Sequence, residues 1–391
     1  MARKSLARPI NLPLSSSAPL VTPLIQSNVY VSDDPDTLDR LYEGNREGYT
    51  YAREGHPNAD VLAKRIDLLE KTSGGLITSS GMAAITAVLL GICQSGDHVI
   101  GGDQLYGRTL RLMQNDLPRL GIETTLADST SSPNIEAAIK PNTRLVLIEL
   151  MSNPTLRIAD LKGISKVCKS RGIILVVDNT FTTPYSVQPL DHGADIVVHS
   201  ITKMLAGHSD VTLGYMCASS LEFRTKIYEY SVTTGLTASP FECWLAERGL
   251  ATFDLRFKRC QETAKQLADW LKERPEITKV IYPLNSDHPD RRNSKMILGE
   301  NGCNIVSFII DGDRTTANIF TKSADQIPFA PTLGDIGTTL SHPASSSHRS
   351  LSPQAQREFG ISEGFFRVSV GLESFESLTE IIKKALTDIT K

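Results

Sequence analysis

The six cysteines (Cys93, Cys168, Cys217, Cys243, Cys260 and Cys303) include no CxxC pair, and most sit inside apolar segments such as Ile92-Cys93 and Met216-Cys217. That usage argues against a disulfide framework and fits the reduced, buried thiols of a cytoplasmic protein. Charge of one sign is not in surplus either, since 41 Lys and Arg against 44 Asp and Glu leave a net −3. A near-neutral chain carries no nucleic-acid footprint and points to a small-molecule partner. Long apolar runs are missing: none approaches the roughly 18 residues of a membrane span, and Met1 to Pro19 has basic residues but no uninterrupted apolar core for a signal peptide. Neither GxxxxGK[ST] nor a GxGxxG after a strand occurs, so the common nucleotide loops are absent. His199, His208, His342 and His348 lack metal spacing and further ligands, and no metal is expected. No internal repeat or low-complexity tract is present.

What is there is alternation. A chain of 391 residues exceeds the roughly 250 to 300 residues at which single cores stop growing, so two or more domains are expected. Residues 1–60 are rich in Pro, Ser and Gly without clear periodicity and read as an extended arm lying over another surface. From Leu62 onward, short β-like runs (Gly75 to Ser79, His98 to Gly101, Leu145 to Ile148, Ile173 to Val177, Ile196 to Val198) alternate with helical stretches such as Ala83 to Ile92 and Leu161 to Ser170. The pattern predicts an α/β domain over 61–255, built on a parallel sheet wrapped by helices. A long amphipathic stretch, Phe257 to Leu271, leads into a second, smaller unit over 256–391. Its strands are predicted at Lys279 to Tyr282, Asn304 to Ile310 and Phe366 to Val370, with a closing helix from Leu378 to Ile389.

Two residues at the ends of apolar runs carry the chemistry. Lys203, in Ser200-Ile201-Thr202-Lys203, follows the strand-like Ile196-Val197-Val198; Asp178 directly follows Ile173-Ile174-Leu175-Val176-Val177. Continuous apolar runs are the mark of parallel strands covered on both faces, and the carboxyl ends of such strands form the ligand crevice. A desolvated lysine there is a nucleophile for an aldehyde, and a carboxylate beside it can hold a pyridine nitrogen protonated; pyridoxal 5'-phosphate (PLP) needs both. Each residue alone has a plainer reading, a turn cap for Asp178 and a surface lysine for Lys203. The turn Thr78-Ser79-Ser80-Gly81-Met82-Ala83, where a strand ends and a helix begins, offers backbone N–H groups to a phosphate, with Ser200 and Thr202 supplying hydroxyls. Strand-to-helix turns of this composition are also common without any ligand. Arg53 and Tyr51, in the arm, are either solvated or reach a neighbouring subunit's phosphate. Tyr106 either stacks on a cofactor ring or is an ordinary half-buried tyrosine.

Taken in order, Tyr51-Ala52-Arg53, Ser80-Gly81-Met82-Ala83, Tyr106-Gly107, Asp178-Asn179-Thr180-Phe181, Ser200-Ile201-Thr202-Lys203, Gly207-His208-Ser209-Asp210, His342-Pro343-Ala344-Ser345 and Arg367-Val368-Ser369-Val370-Gly371 resemble the PLP-dependent Cys/Met metabolism (trans-sulfuration) family. The resemblance runs from about Thr22 to Leu386. Cystathionine γ-lyase, β-lyase and γ-synthase, methionine γ-lyase and the O-acylhomoserine sulfhydrylases belong to that family. The resemblance implies the type I aminotransferase fold and a homotetramer of dimers with shared active sites. By matching motif, Lys203 would bond the cofactor aldehyde and move protons, Asp178 would pair with the ring nitrogen, and Tyr106 would stack on the ring. Gly81, Met82, Thr180, Ser200 and Thr202 would hold the cofactor, helped by Tyr51 and Arg53 of the partner subunit. Asn153, Arg108, Thr332 and Arg367 would bind an amino-acid substrate, with Arg367 on its carboxylate.

The implied reaction begins with loss of the Cα proton to Lys203, then of a Cβ proton, and ends with departure of a group from Cγ. Water then gives elimination and a thiol gives replacement. Cystathionine cleavage or synthesis is the leading expectation, O-acylhomoserine sulfhydrylase or methionine γ-lyase the rival, and a non-catalytic binding protein the remote alternative. Three departures from commoner family patterns bear on substrate: Gly55-His56-Pro57-Asn58, Pro331-Thr332 ahead of Leu333-Gly334-Asp335 where γ-lyases and γ-synthases have Glu-Ser, and Arg108 beside Tyr106.

Overall fold

The computed structural model describes residue 7 and residues 15–349 and 352–391; the beginning of the expected arm, residues 1–6 and 8–14, lies outside them. The larger sheet is built from β1 (Leu76–Thr78), β2 (His98–Gly102), β3 (Glu123–Ala127), β4 (Thr143–Glu149), β5 (Ile174–Asp178), β6 (Ile196–Ser200) and β7 (Gly214–Ala218), in the order β1-β7-β6-β5-β4-β2-β3. Strands β3, β2, β4, β5 and β6 run parallel, whereas β7 runs antiparallel to both β6 and β1. All five predicted runs are strands of this sheet and share one direction, although β1 joins it only through the antiparallel β7. Strands β3 and β7 escape the sequence reading. The former, Glu123-Thr124-Thr125-Leu126-Ala127, is a polar edge strand, and the latter directly follows the Lys203 loop without a turn signal of its own.

The apolar runs are buried on both faces. Leu145, Leu147, Val176 and Val198 pack towards the Gly81–Ile92 helix, while Val146, Ile148, Leu175, Val177 and Val197 pack into the opposite core. Each such side chain stabilises the fold by about 1.5 to 3 kcal/mol on transfer from water. Alternation of faces has a second consequence. It leaves the strand-terminal residues Glu149, Asp178 and Ser200 together at the carboxyl edge of β4, β5 and β6, with Glu149 and Asp178 directly opposed in register.

A second sheet, β8 (Ile277–Ile281), β9 (Ile305–Ile310), β10 (Thr339–Ser341) and β11 (Phe365–Ser369), is antiparallel throughout in the order β10-β11-β9-β8. The helices Phe253–Lys272 and Phe375–Ile389 lie against this unit, and Phe308, Phe320 and Phe366 form its aromatic centre, with ring centroids 4.8–5.9 Å apart. The arm is less featureless than its composition suggests. Asp34 accepts from Thr37 N–H and Pro35 stands at the first turn, so Pro35–Tyr42 is a helix. Farther back the arm lies on its own chain, where Trp244 donates to the Thr22 carbonyl (2.9 Å) and Asn58 to that of Pro23 (2.9 Å). Among the described residues no helix is long and apolar enough to cross a membrane.

Candidate active site

Helix Gly81–Ile92 begins at the carboxyl edge of the sheet because Ser80 caps it, its hydroxyl accepting from Ala83 N–H at 3.0 Å. The N–H groups of Gly81 and Met82 precede the first intrahelical bond and have no acceptor within the helix, which leaves a positive end open to an anion. Gly81 is required by close approach: a Cβ there would lie 2.8 Å from Ser200 Cβ. Ser200 is tied to its neighbours through the backbone, donating N–H to Thr180 Oγ1 at 2.9 Å, while Thr180 N–H donates to Asp178 Oδ1 at 2.9 Å. The structure thus brings Gly81, Met82, Ser200, Thr180 and Asp178 together. Thr202 is partly committed elsewhere, since its hydroxyl accepts from Leu213 N–H (3.0 Å) and holds the approach to β7.

Asp178 does not stand alone. Glu149, which the sequence reading missed because the predicted strand stops at Ile148, faces it from β4 and accepts the Tyr106 backbone N–H at 2.5 Å. Burial and the neighbouring Asp178 charge push the Glu149 carboxyl well above its ordinary range. Asp178 is also raised by burial, but the Thr180 hydrogen bonds pull it back, so of the two the negative charge settles on Asp178. A carboxyl whose pKa is raised by folding binds its proton more tightly in the folded chain, so stability falls as pH climbs from the unfolded carboxyl range towards the folded-state value. Glu149→Gln keeps an acceptor for Tyr106 and removes the titration. The cofactor-free variant is expected to melt a few degrees above the native chain at about pH 8 and at the same temperature at about pH 4. Differential scanning calorimetry at both pH values checks this, and an equal or lower midpoint at the higher pH would contradict it.

Lys203 lies just past β6. Its Nζ makes no hydrogen bond or ion pair among the described residues, and burial together with the Arg367 charge lowers its pKa. Arg367, on β11, is 4% exposed. Its Nη1 donates to Asn153 Oδ1 (2.6 Å) and its Nη2 to the Thr332 carbonyl (2.6 Å), while Nε is buried without a partner. No carboxylate is bonded to it among the described residues, and burial alone brings its pKa down to about 10. A buried guanidinium with a free donor and no counter-ion is a receptor for a carboxylate.

The remaining predicted residues stand farther out. Tyr106 and Arg108 are both exposed at the start of the helix Gly107–Arg111, and Arg108 has no ion pair among the described residues. Tyr51 and Arg53 are exposed in the arm, the guanidinium lying 5.2 Å from the Tyr51 ring centroid. Arg53 lines a cavity of about 580 Å³ between the arm and the body, with His56, Arg224 and Tyr228; neither Lys203 nor Asp178 belongs to it. In a single chain the two arm residues are therefore apart from the rest.

The donor set fits PLP, with an open helix start and the Ser200 hydroxyl for a phosphate, the Asp178 carboxyl for a ring nitrogen, and a Lys203 Nζ without a hydrogen bond or ion pair among the described residues for an aldehyde. The chain is 39% identical over 346 residues to a cystathionine gamma-lyase of Bacillus subtilis, spanning 88% of this chain and 90% of that one. A cystathionine gamma synthase from Xanthomonas oryzae pv. oryzae, solved in complex with cystathionine, superposes with a TM-score of 0.89 at 33% identity, over 95% of this chain and 94% of that one. A putative O-acetylhomoserine (thiol)-lyase from Campylobacter jejuni, solved with N'-pyridoxyl-lysine-5'-monophosphate, gives a TM-score of 0.90 at 26% identity, over 99% and 97% of the two chains. The model of the family described as Cys/Met metabolism PLP-dependent enzyme matches residues 13–387, and the protein belongs to that family.

Proposed function

We propose that this chain acts at the γ carbon of sulfur amino acids or activated homoserine, with cystathionine cleavage or synthesis as its leading activity. The observation that carries the reading is Arg367, a buried guanidinium with an unpartnered Nε beside Lys203, as an amino-acid carboxylate requires. Gly81, Met82, Ser200 and Thr202 would hold the cofactor phosphate, Thr180 would orient Asp178, and Asp178 would hold the ring nitrogen. When bound, PLP supplies the electron sink that makes the substrate's Cα and Cβ protons acidic. Lys203 Nζ, whose neutral form burial favours, takes the Cα proton and serves Cβ and Cγ in turn. Tyr106 would cover the ring face, and its exposed phenol could exchange a proton with a leaving group at Cγ. Asn153 and the Thr332 carbonyl hold the Arg367 fork in one orientation. Tyr51 and Arg53, exposed in the arm and sharing no cavity with Lys203 within one chain, support a homo-oligomer in which they complete a partner's site.

The rival, methionine γ-lyase or O-acylhomoserine sulfhydrylase, rests on Pro331-Thr332 standing where a glutamate would select the distal end of the substrate. Arg108 favours the leading reading. It is an exposed cation beside Tyr106 without an ion pair among the described residues, placed to meet a distal carboxylate such as that of cystathionine or O-succinylhomoserine. Incubation with cystathionine, methionine, O-acetylhomoserine and O-succinylhomoserine, with and without cysteine or sulfide, and identification of the products tests the assignment. In the same assay Arg108→Gly is expected to lower kcat/KM for cystathionine by about tenfold, the value of one charge-assisted contact, and to leave that for methionine unchanged. Equal changes for both substrates would remove Arg108 from substrate choice.

A further inference from the structure

Arg256, on the helix Phe253–Lys272, is an unexplained buried cation. It is 5% exposed and no carboxylate is bonded to it among the described residues. Burying a guanidinium is expensive unless every donor finds an acceptor. Here the acceptors are almost all main-chain oxygens. Nη1 donates to the Met204 carbonyl at 2.8 Å, Nη2 to those of Leu205 (3.0 Å) and Gly249 (2.9 Å), and Nε to Thr252 Oγ1 (3.1 Å).

The Met204 and Leu205 carbonyls belong to the turn that carries Lys203, whereas Gly249 lies near the end of the helix Pro240–Leu250. Three of the turn's N–H groups are satisfied internally, Lys203 N–H by Ser200 O (3.2 Å), Ala206 N–H by Ile201 O (2.9 Å) and Gly207 N–H by Lys203 O (2.8 Å). Like the last turn of a helix, it leaves carbonyls over. Arg256 takes two of them. The fit is close: Gly207 has φ +75°, and a Cβ there would run into Arg256 Nη1. From the other side, a Cβ on Gly334 would lie 2.5 Å from Met204 N and 3.1 Å from Lys203 Cα, while Gly334 N–H donates to Ser369 Oγ (2.9 Å), two residues from Arg367. The Lys203 turn is thus gripped between the guanidinium and the segment next to the Arg367 strand.

We propose that Arg256 is a positioning residue that fixes the Lys203 amine by clamping the Met204 and Leu205 carbonyls, an inference that rests on Lys203 being the residue that bonds the cofactor aldehyde. Lysine at 256 would keep the charge but could not span acceptors on two peptide units and a threonine at once. The bond itself forms when Nζ attacks the aldehyde carbon and water leaves, so its rate depends on where Nζ sits. Phosphate binding does not.

The test compares two measurements on the full-length, cofactor-free protein: affinity for 4'-deoxypyridoxine 5'-phosphate, which has no aldehyde, and the rate at which PLP becomes fixable to Lys203 by borohydride, read by peptide mass spectrometry. Arg256→Lys is expected to slow attachment about 100-fold, the scale of a misplacement of about 1 Å, and to change analogue affinity by less than about threefold. Thr252→Val, which removes the Nε acceptor and the hydroxyl's own bond to the Gly249 carbonyl (3.3 Å) but leaves the Met204 and Leu205 carbonyls clamped, is expected to give the same selective pattern at smaller size, and it decides the matter if Arg256→Lys fails to fold. Parallel losses in both measurements, or no loss in either, overturn the inference. Native protein that never becomes fixed at Lys203 overturns the assignment of Lys203 instead.

Discussion

Lys203→Ala is expected to lower kcat for γ-elimination or replacement by about 10⁴-fold, the upper range for a positioned general base. The absorbance of the PLP-bound protein near about 420 nm should vanish with it. The physical ground is the state of Nζ. It has no hydrogen bond or ion pair among the described residues, and burial and Arg367 both disfavour its charged form. For the same reason this lysine weakens the fold. A base whose pKa is depressed by folding holds its proton less tightly in the native chain, so its penalty is full below the folded-state pKa and fades as pH rises through it. Cofactor-free Lys203→Met should therefore melt no lower than the native chain at neutral pH, which separates lost chemistry from lost structure. Retained turnover, or a variant that is inactive only because it unfolds, would count against the assignment.

Arg367→Leu should act on binding. Truncating one partner of a buried, hydrogen-bonded charge pair costs about 3 to 5 kcal/mol, so kcat/KM for the amino-acid substrate is expected to fall by about 10³-fold, chiefly through KM. Arg367→Lys should recover little, because a point charge cannot donate to Asn153, the Thr332 carbonyl and a substrate carboxylate in one plane. The PLP band should persist in both variants, in contrast to Lys203→Ala. Steady-state kinetics with cystathionine and methionine, beside absorbance spectra, check the pair of outcomes. An unchanged KM would mean that the buried fork serves the fold alone.

Much of this was legible because burial leaves a mark on sequence. Asp178 and Lys203 stand out as the first Asp, Glu, Lys or Arg after continuous apolar strands, and the runs ending at Val177 and Val198 do form adjacent parallel strands. The Asp178-to-Thr180 step is local, so its hydrogen bond follows from chain geometry. Glu149 was not legible. One glutamate after an apolar run looks like a solvated strand end, and it becomes a proton-holding partner of Asp178 only through the register of β4 against β5. Arg256 was hidden in the same way, one charge among many on an amphipathic helix. The antiparallel β7 and the Pro35–Tyr42 helix were missed for want of periodicity, although the Asp34-Pro35 start was a readable helix signal.

The sequence by itself determined which chemistry-bearing residues the chain owns and which strands and helices present them, since periodicity, capping and continuous apolar runs act over a few neighbouring residues. Only the tertiary structure decided how those residues meet. Asn153 and Arg367, 214 positions apart, share a hydrogen bond, and the turn after Lys203 meets Arg256 through the Met204 and Leu205 carbonyls and packs against Gly334. The physical reason is range: backbone preference is local, whereas the desolvation and charge that tune a lysine, two carboxyls and a guanidinium arise from neighbours that no sequence window contains.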